Sequence, residues 1–252
     1  MSAGELVLPE DYYAAIFAVE RGHWWHRGLR EVAAALLGDR LARAREVLDA
    51  GCGTGGFLAW AGEQAPEARL LGADLSWEAV TLARSRVPAA ELHVAPLHRM
   101  PFDDGAAALV TCNDVLQHVL AADLDAGVAE LRRVTRPGGA VVVRTGAART
   151  HREEREDWRI FDAGSLRSLL ARGGLNVERV THVNALGSAW ATARGRSPRA
   201  PTHERHGIPD APAGRPGDPR LRLLEAEAAW LARPGRTLPF GHTLLAVAVV
   251  AP

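Results

Sequence analysis

The stretch "VLDAGCGTGGFL", Val47 to Leu58, sets a short apolar run, one carboxylate and four glycines side by side. Gly51, Gly53 and Gly56 satisfy the G-x-G-x-x-G pattern of a strand-to-helix turn. Glycines there let the backbone come close to a nucleotide-like ligand, and the following helix offers unpaired N–H groups and a partial positive charge. Asp49 stands two residues ahead of the first glycine. A carboxylate beside this turn would repel a pyrophosphate and attract an ammonium.

Outward from that stretch, "EVLDA", "ARLLGAD", "ELHVA", "AALVTCND" and "GAVVVRT" are short, apolar and strand-like. Helical spacing predicts helices over Gly56–Gln64, Trp77–Arg86 and Leu124–Val134 between them. Such alternation implies a parallel sheet covered by helices on both faces. Ligands of these sheets bind beyond the carboxyl ends of the strands, where strand order reverses.

Upstream, "DYYAAIFAVE" and "LREVAAALLGDRLARA" read as two helices with "RGHWWHRG" between them. Downstream, "TRPGGAVVVR" should end a helix at Arg136 and turn sharply on Pro137-Gly138-Gly139 into a strand. "DAGSLRSLLARGGLNVERVTHV" then supplies a helix, a stop and a strand, and "HTLLAVAVV" a last strand. Between these, the composition shifts to Arg, Pro, Gly and Ala, first without periodicity and then as the amphipathic helix "RLRLLEAEAAWLAR". The expected division is an N-terminal helical lid over 1–44, a ligand-binding core over 45–187, a loop-and-helix insertion over 188–239 and the core's final strand over 240–252.

Composition narrows the chemistry. The 252 residues hold thirty basic and thirty acidic side chains, so no global field favours nucleic acid or an anionic membrane. Every basic residue is Arg; with no Lys, Schiff-base mechanisms on the chain's own lysine are excluded. Cys52 and Cys112 lie in apolar contexts and read as buried thiols rather than a disulfide. The acidic opening does not have the form of a signal peptide, and "LLAVAVVA" is too short to span a bilayer. A soluble, cytoplasmic protein, monomer or homodimer, is the expectation.

A ligand bearing a carboxylate, an ammonium and a ribose fits the helix N-terminus, Asp49 and a second acid, Asp74, together. Asp74 ends the strand in "LLGADLS" and can accept from both ribose hydroxyls. S-adenosylmethionine is such a ligand; Asp74 alone would not separate it from NAD.

"VLDAGCGTGGFL", "GADLSWEAVTLAR", "RMPFDDGAAALVTCNDVLQHV" and "LRRVTRPGGAVVVR" together resemble the successive motifs of class I S-adenosylmethionine-dependent methyltransferases. "GHWWHRGLRE" and "LLEAEAAWLARPGRTLPFGHTLLAVA" further resemble a bacterial small-molecule subfamily with an N-terminal HWW motif. The resemblance implies a Rossmann-like, seven-stranded, mostly parallel α/β sheet with an antiparallel last strand. By position it implies that Asp49, Gly51 and Gly53 hold the methionine end, Asp74 the ribose and Leu75 the adenine, with Asn113 beneath the methionine part. The acid this family uses toward the adenine amino group is replaced by Pro96, which leaves the backbone N–H of Leu97 as the donor there.

On the acceptor side, His118 follows the fourth strand and is the candidate general base, against the alternative of a packing histidine. Trp24 and Trp25 read either as a lid over sulfonium and acceptor or as an aromatic plug that docks a helix. In the lid reading Trp25, with Arg27 or Arg30, attends the cofactor and Trp24 the acceptor. Trp158 and Arg159 follow the fifth strand and are candidate acceptor contacts. His23 and His26 lack further ligands at metal spacing, so no metal is expected. The expected function is methyl transfer to O, N or C of a small molecule, a natural product or sugar intermediate. The alternatives are a protein that binds S-adenosylmethionine without using its methyl, as a pericyclase-like catalyst or a ligand sensor, and an NAD-dependent oxidoreductase.

Overall fold

The computed structural model describes residues 10–147, 159–193 and 218–252. Its helices are α1 (Glu10–Val19), α2 (Trp24–Leu37), α3 (Asp39–Ala42), α4 (Gly56–Gln64), α5 (Trp77–Arg86), α6 (Leu124–Val134), α7 (Ala163–Arg172), α8 (Ala185–Ala193) and α9 (Pro219–Leu231). Its strands are β1 (Glu46–Ala50), β2 (Arg69–Asp74), β3 (Glu91–Val94), β4 (Ala107–Asn113), β5 (Thr135–Gly146), β6 (Asn176–Val183) and β7 (Thr243–Val249). They form one sheet in the order β3-β2-β1-β4-β5-β7-β6. All pairs are parallel except those of β7, which runs antiparallel to both β5 and β6. This is the Rossmann-like arrangement expected, and the order reverses between β1 and β4. The glycine-rich turn therefore leaves β1 at the switch point.

Alternation along the strands divides the core in two. Leu48, Leu71, Val110, Val141, Val143, Leu244 and Ala246 face α6 and α7. Val47, Leu109, Val142, Leu245 and Val247 face α2 and α9. Helices α4, α5 and α6 begin and end where the spacing places them. The Pro137-Gly138-Gly139 signal sets the helix end at Arg136, two residues beyond the end given by helical spacing, and the helix stops at Val134 because the chain from Thr135 already pairs with Ala107 of β4. Gly138, at φ +73°, makes the turn.

Two segments differ from their sequence reading: the single helix read over "LREVAAALLGDRLARA" is broken at Gly38 into α2 and α3, and the second difference is at its start. "WWHRG" is not a linker but the first turns of α2. His23 caps that helix, its Nδ1 accepting from the Trp25 N–H at 3.4 Å. Gly28, in mid-helix, lets α9 approach so closely that a Cβ there would collide with Leu224.

Candidate active site

The first-strand turn is built by backbone geometry. Gly51 sits at φ +80°, and a side chain there would strike Val115. The N–H groups of Gly51 and Cys52 both reach the Ala73 carbonyl, at 2.7 and 2.9 Å, which ties the turn to β2. Gly53, at φ +50°, has nothing within 4 Å of where a Cβ would stand. Bare backbone in the left-handed region, opening onto free space at the sheet's switch point, is a cradle for a ligand.

Two carboxylates flank it. Asp49 is 2% exposed, at the end of β1. Thr111 Oγ1 and Asn113 Nδ2 both donate to its Oδ1, at 2.6 and 3.3 Å. Burial nevertheless raises its pKa to about 7, against the opposing pull of the Thr111 bond, Arg144 and Asn113. A buried acid held this high is short of a positive partner. Asp74 accepts the Gly53 N–H on Oδ2 at 2.8 Å and the Ser76 N–H on Oδ1 at 3.0 Å. Each oxygen keeps a lone pair, so both can take a diol, while burial raises this carboxyl too. Leu75, half-buried, lies between Asp74 and the α5 cap Ser76. The Leu97 side chain turns inward against α6, beside Gly127, so what it can offer outward is backbone.

At the far side of the switch point, Arg144 ends the apolar run of β5 and donates through Nε and Nη2 to Asp114 Oδ2, at 3.0 and 2.7 Å. Asp114 itself adopts φ +59°. His26, on the sheet-facing stripe of α2, has an Nε2 without partner among the described residues. Its pKa is pushed down to about 3, first by burial and then by Arg144, His23 and Arg30, so the ring is neutral. Tyr12 of α1 lies close enough to Asp114 and Asp74 for both, after burial, to oppose its ionisation. Arg144 and Tyr12 have no role in the sequence reading, and His26 enters it only as a discounted metal ligand. Only Arg144 leaves a signal, a charge at the carboxyl end of "VVVR".

The candidate acceptor residues fall in two groups. His118 closes a short 3₁₀ turn, Leu116–His118, and is half-buried. Gln117, buried beside it, accepts from the Gly146 N–H and Thr145 hydroxyl at 2.9 and 3.0 Å. With that carbonyl oxygen fixed, its amide NH₂ faces His118 Nε2 at 3.4 Å. The Arg159 N–H donates to the Gln117 carbonyl at 2.7 Å, bringing Arg159 beside His118. Trp158 lies outside the described residues. Trp24 is instead buried between α2 and α9, with the Arg220 guanidinium 4.5 Å from its ring centre, and Trp25 packs against the same cluster. That is a docking position. Arg30 is buried and donates to the carbonyls of Glu20 and Arg21 at 3.2 and 2.9 Å, spending two donors on the bend between α1 and α2. Among the described residues no group of three or more His, Cys, Asp or Glu could hold a metal ion, and no helix is long and apolar enough to cross a membrane.

Residues 48–143 match the family model described as "Methyltransferase domain". A malonyl-[acyl-carrier protein] O-methyltransferase of Pseudescherichia vulneris is 30% identical over 227 residues, covering 84% of this chain and 86% of that protein. The chain belongs to the S-adenosylmethionine-dependent methyltransferases. A demethylmenaquinone methyltransferase of Deinococcus radiodurans is 35% identical over 122 residues, 46% of this chain and 48% of that one. The chain spans between 28% and 51% of the length of several curated relatives. Among solved methyltransferases, the geranyl diphosphate C-methyltransferase of Streptomyces coelicolor, in complex with S-adenosyl-L-homocysteine, shares the fold. Its TM-score is 0.57 at 19% identity, over 89% of this chain and 78% of that one. The cradle fits this methyltransferase family's cofactor: open backbone at Gly53, an acid short of a cation at Asp49 and a diol acceptor at Asp74.

Proposed function

We propose that this protein transfers a methyl group from S-adenosylmethionine to an oxygen, nitrogen or carbon of a small-molecule acceptor. The observation that carries the reading is Asp49, a buried carboxyl whose pKa burial has raised to about 7, beside the open backbone of Gly53. An amino acid's ammonium supplies the charge that site lacks. Asp49 would hold that ammonium, the Gly51–Gly53 backbone would bed the methionine chain and Asp74 would accept from the ribose hydroxyls. Leu75 would pack on the adenine, with the Leu97 backbone at its edge.

When bound, the cofactor supplies an electrophilic methyl on a good leaving group. The chain's own task is therefore alignment and exclusion of water. His118, half-buried beside Gln117, would take a proton from an acceptor that carries one. Arg159, whose Nε has no partner among the described residues, stands beside it as an acceptor contact. The balanced overall charge and the relative named for demethylmenaquinone support a small acceptor rather than nucleic acid.

Calorimetry with S-adenosylmethionine, then incubation with panels of hydroxyl, amine and carboxylate acceptors while following S-adenosylhomocysteine, tests this. Heat on binding and S-adenosylhomocysteine as product with at least one acceptor are expected. Binding with no product under any acceptor would move the protein to the non-methylating reading, and no binding at all would refute the cradle.

A further inference from the structure

Helix α1 ends at a buried carboxylate that the methyltransferase reading does not use. Glu20 Oε1 accepts from both Arg86 Nη1 of α5 and the Thr54 hydroxyl in the glycine-rich turn. The Glu20 and Arg86 side chains are 13% and 6% exposed. Arg86 adds bonds to the Thr54 and Phe17 carbonyls and lies 4.0 Å from the Phe17 ring centre. The Glu20 carboxylate also presses on Gly56, where a Cβ would collide with it, at the N-terminus of α4. A carboxylate is favoured there by the helix dipole. The other end of α1 carries Tyr12, among Asp74 and Asp114 at the ends of β2 and β4. A ten-residue helix is about 15 Å long. It therefore runs from the neighbourhood of Asp74 to Thr54 and the first turn of α4.

We infer that Glu20 and Arg86 are positioning residues that fasten α1 across the cofactor cradle, so that the nucleoside enters and leaves only when this fastening opens. The inference rests on the proposed function, since it takes the cradle to be the nucleoside's site. Asp49 and Asp74 take no part in the Glu20–Arg86–Thr54 fastening. Trp24 and Trp25, packed against α9, anchor α2 as the fixed side from which α1 swings at the Arg21–His23 bend.

The test uses the full chain and S-adenosylhomocysteine as probe, with association and dissociation followed by stopped-flow tryptophan fluorescence. In Glu20→Gln and Arg86→Met both rate constants should rise about tenfold while Kd moves less than about threefold, because a gate speeds both directions. Arg86→Lys, which keeps a cation opposite Glu20, should return both rates toward wild type. Hydrogen exchange should quicken in the amides of α1 and not in those of α4 or α5. Should Glu20→Gln fail to fold, Thr54→Val removes one donor to Glu20 and should raise both rates by a smaller factor. Rates within twofold of wild type, or faster dissociation with unchanged association, would overturn the inference. Wild-type protein that does not bind the probe would instead overturn the reading of the cradle.

Discussion

Replacing Asp49 by asparagine should stabilise the ligand-free protein and weaken its hold on the cofactor at once. In the unfolded chain this carboxyl titrates near 3.8, and in the folded protein near 7. Between those values the native state binds the proton more tightly than the unfolded state. The group therefore contributes no penalty below about pH 3.8, and its cost grows as pH climbs toward 7. At pH 8 the burial of the ionised form costs at most roughly 4 kcal/mol, at 1.36 kcal/mol per pH unit. Asparagine removes that cost and keeps both donors on its Oδ1, but buries an amide NH₂ where Oδ2 stood, and leaving it without a partner returns about 1–3 kcal/mol. A net gain of about 1–3 kcal/mol corresponds to a Tm higher by roughly 3–8 °C at this chain length. Differential scanning fluorimetry of both proteins from pH 5 to 8 reads the difference. It should be largest at pH 8 and shrink toward pH 5, the contribution of neutral His26 being common to both. Calorimetry with S-adenosylhomocysteine should show wild-type affinity falling about tenfold per pH unit below 7, as Asp49 takes up its proton. The variant should bind about 10–100-fold more weakly at pH 8, without that slope. A lower Tm for the variant at pH 8, or a wild-type affinity flat across this range, would refute the electrostatic argument.

His118→Ala should lower turnover of a proton-bearing acceptor at least about 100-fold while leaving S-adenosylhomocysteine affinity within about threefold. Equal turnover in steady-state assays would return His118 to a packing role. Glu227, buried in α9, accepts the Asn184 and Leu186 N–H groups at 2.6 and 2.7 Å and so holds the start of α8. Glu227→Gln turns one of those acceptors into a donor and should cost about 1–3 kcal/mol in thermal or urea unfolding. Cofactor affinity should be unaffected, because α8 and α9 stand away from the glycine turn.

The parallel sheet was legible because short apolar runs alternate with helical ones, and of the helices between them α5 carries its own cap, Ser76. Asp49 could be picked out because β1 runs straight into the glycine turn, and Asp74 because it ends the next apolar strand. What the sequence hid was long-range. Glu20 meets Arg86 across 66 residues and Arg144 meets Asp114 across 30, and nothing in local periodicity records either pairing. The HWW segment was ambiguous for a similar reason. Its aromatics could cover a ligand or dock a helix, and the decision rests with α9, some two hundred residues later, whose Leu224 closes on Gly28. The His23 cap, a histidine where Ser or Asp is usual, gave no warning that the helix begins there.

The pairing of Val183 with Thr243, the last residue of β6 and the first of β7, has a corollary for redesign. Everything between them departs from and returns to one point on the sheet. Within that excursion α9 belongs to the core through Leu221, Leu224 and Leu231, so an exchange by engineering that keeps α9 can alter the remainder without shifting the register of any other strand.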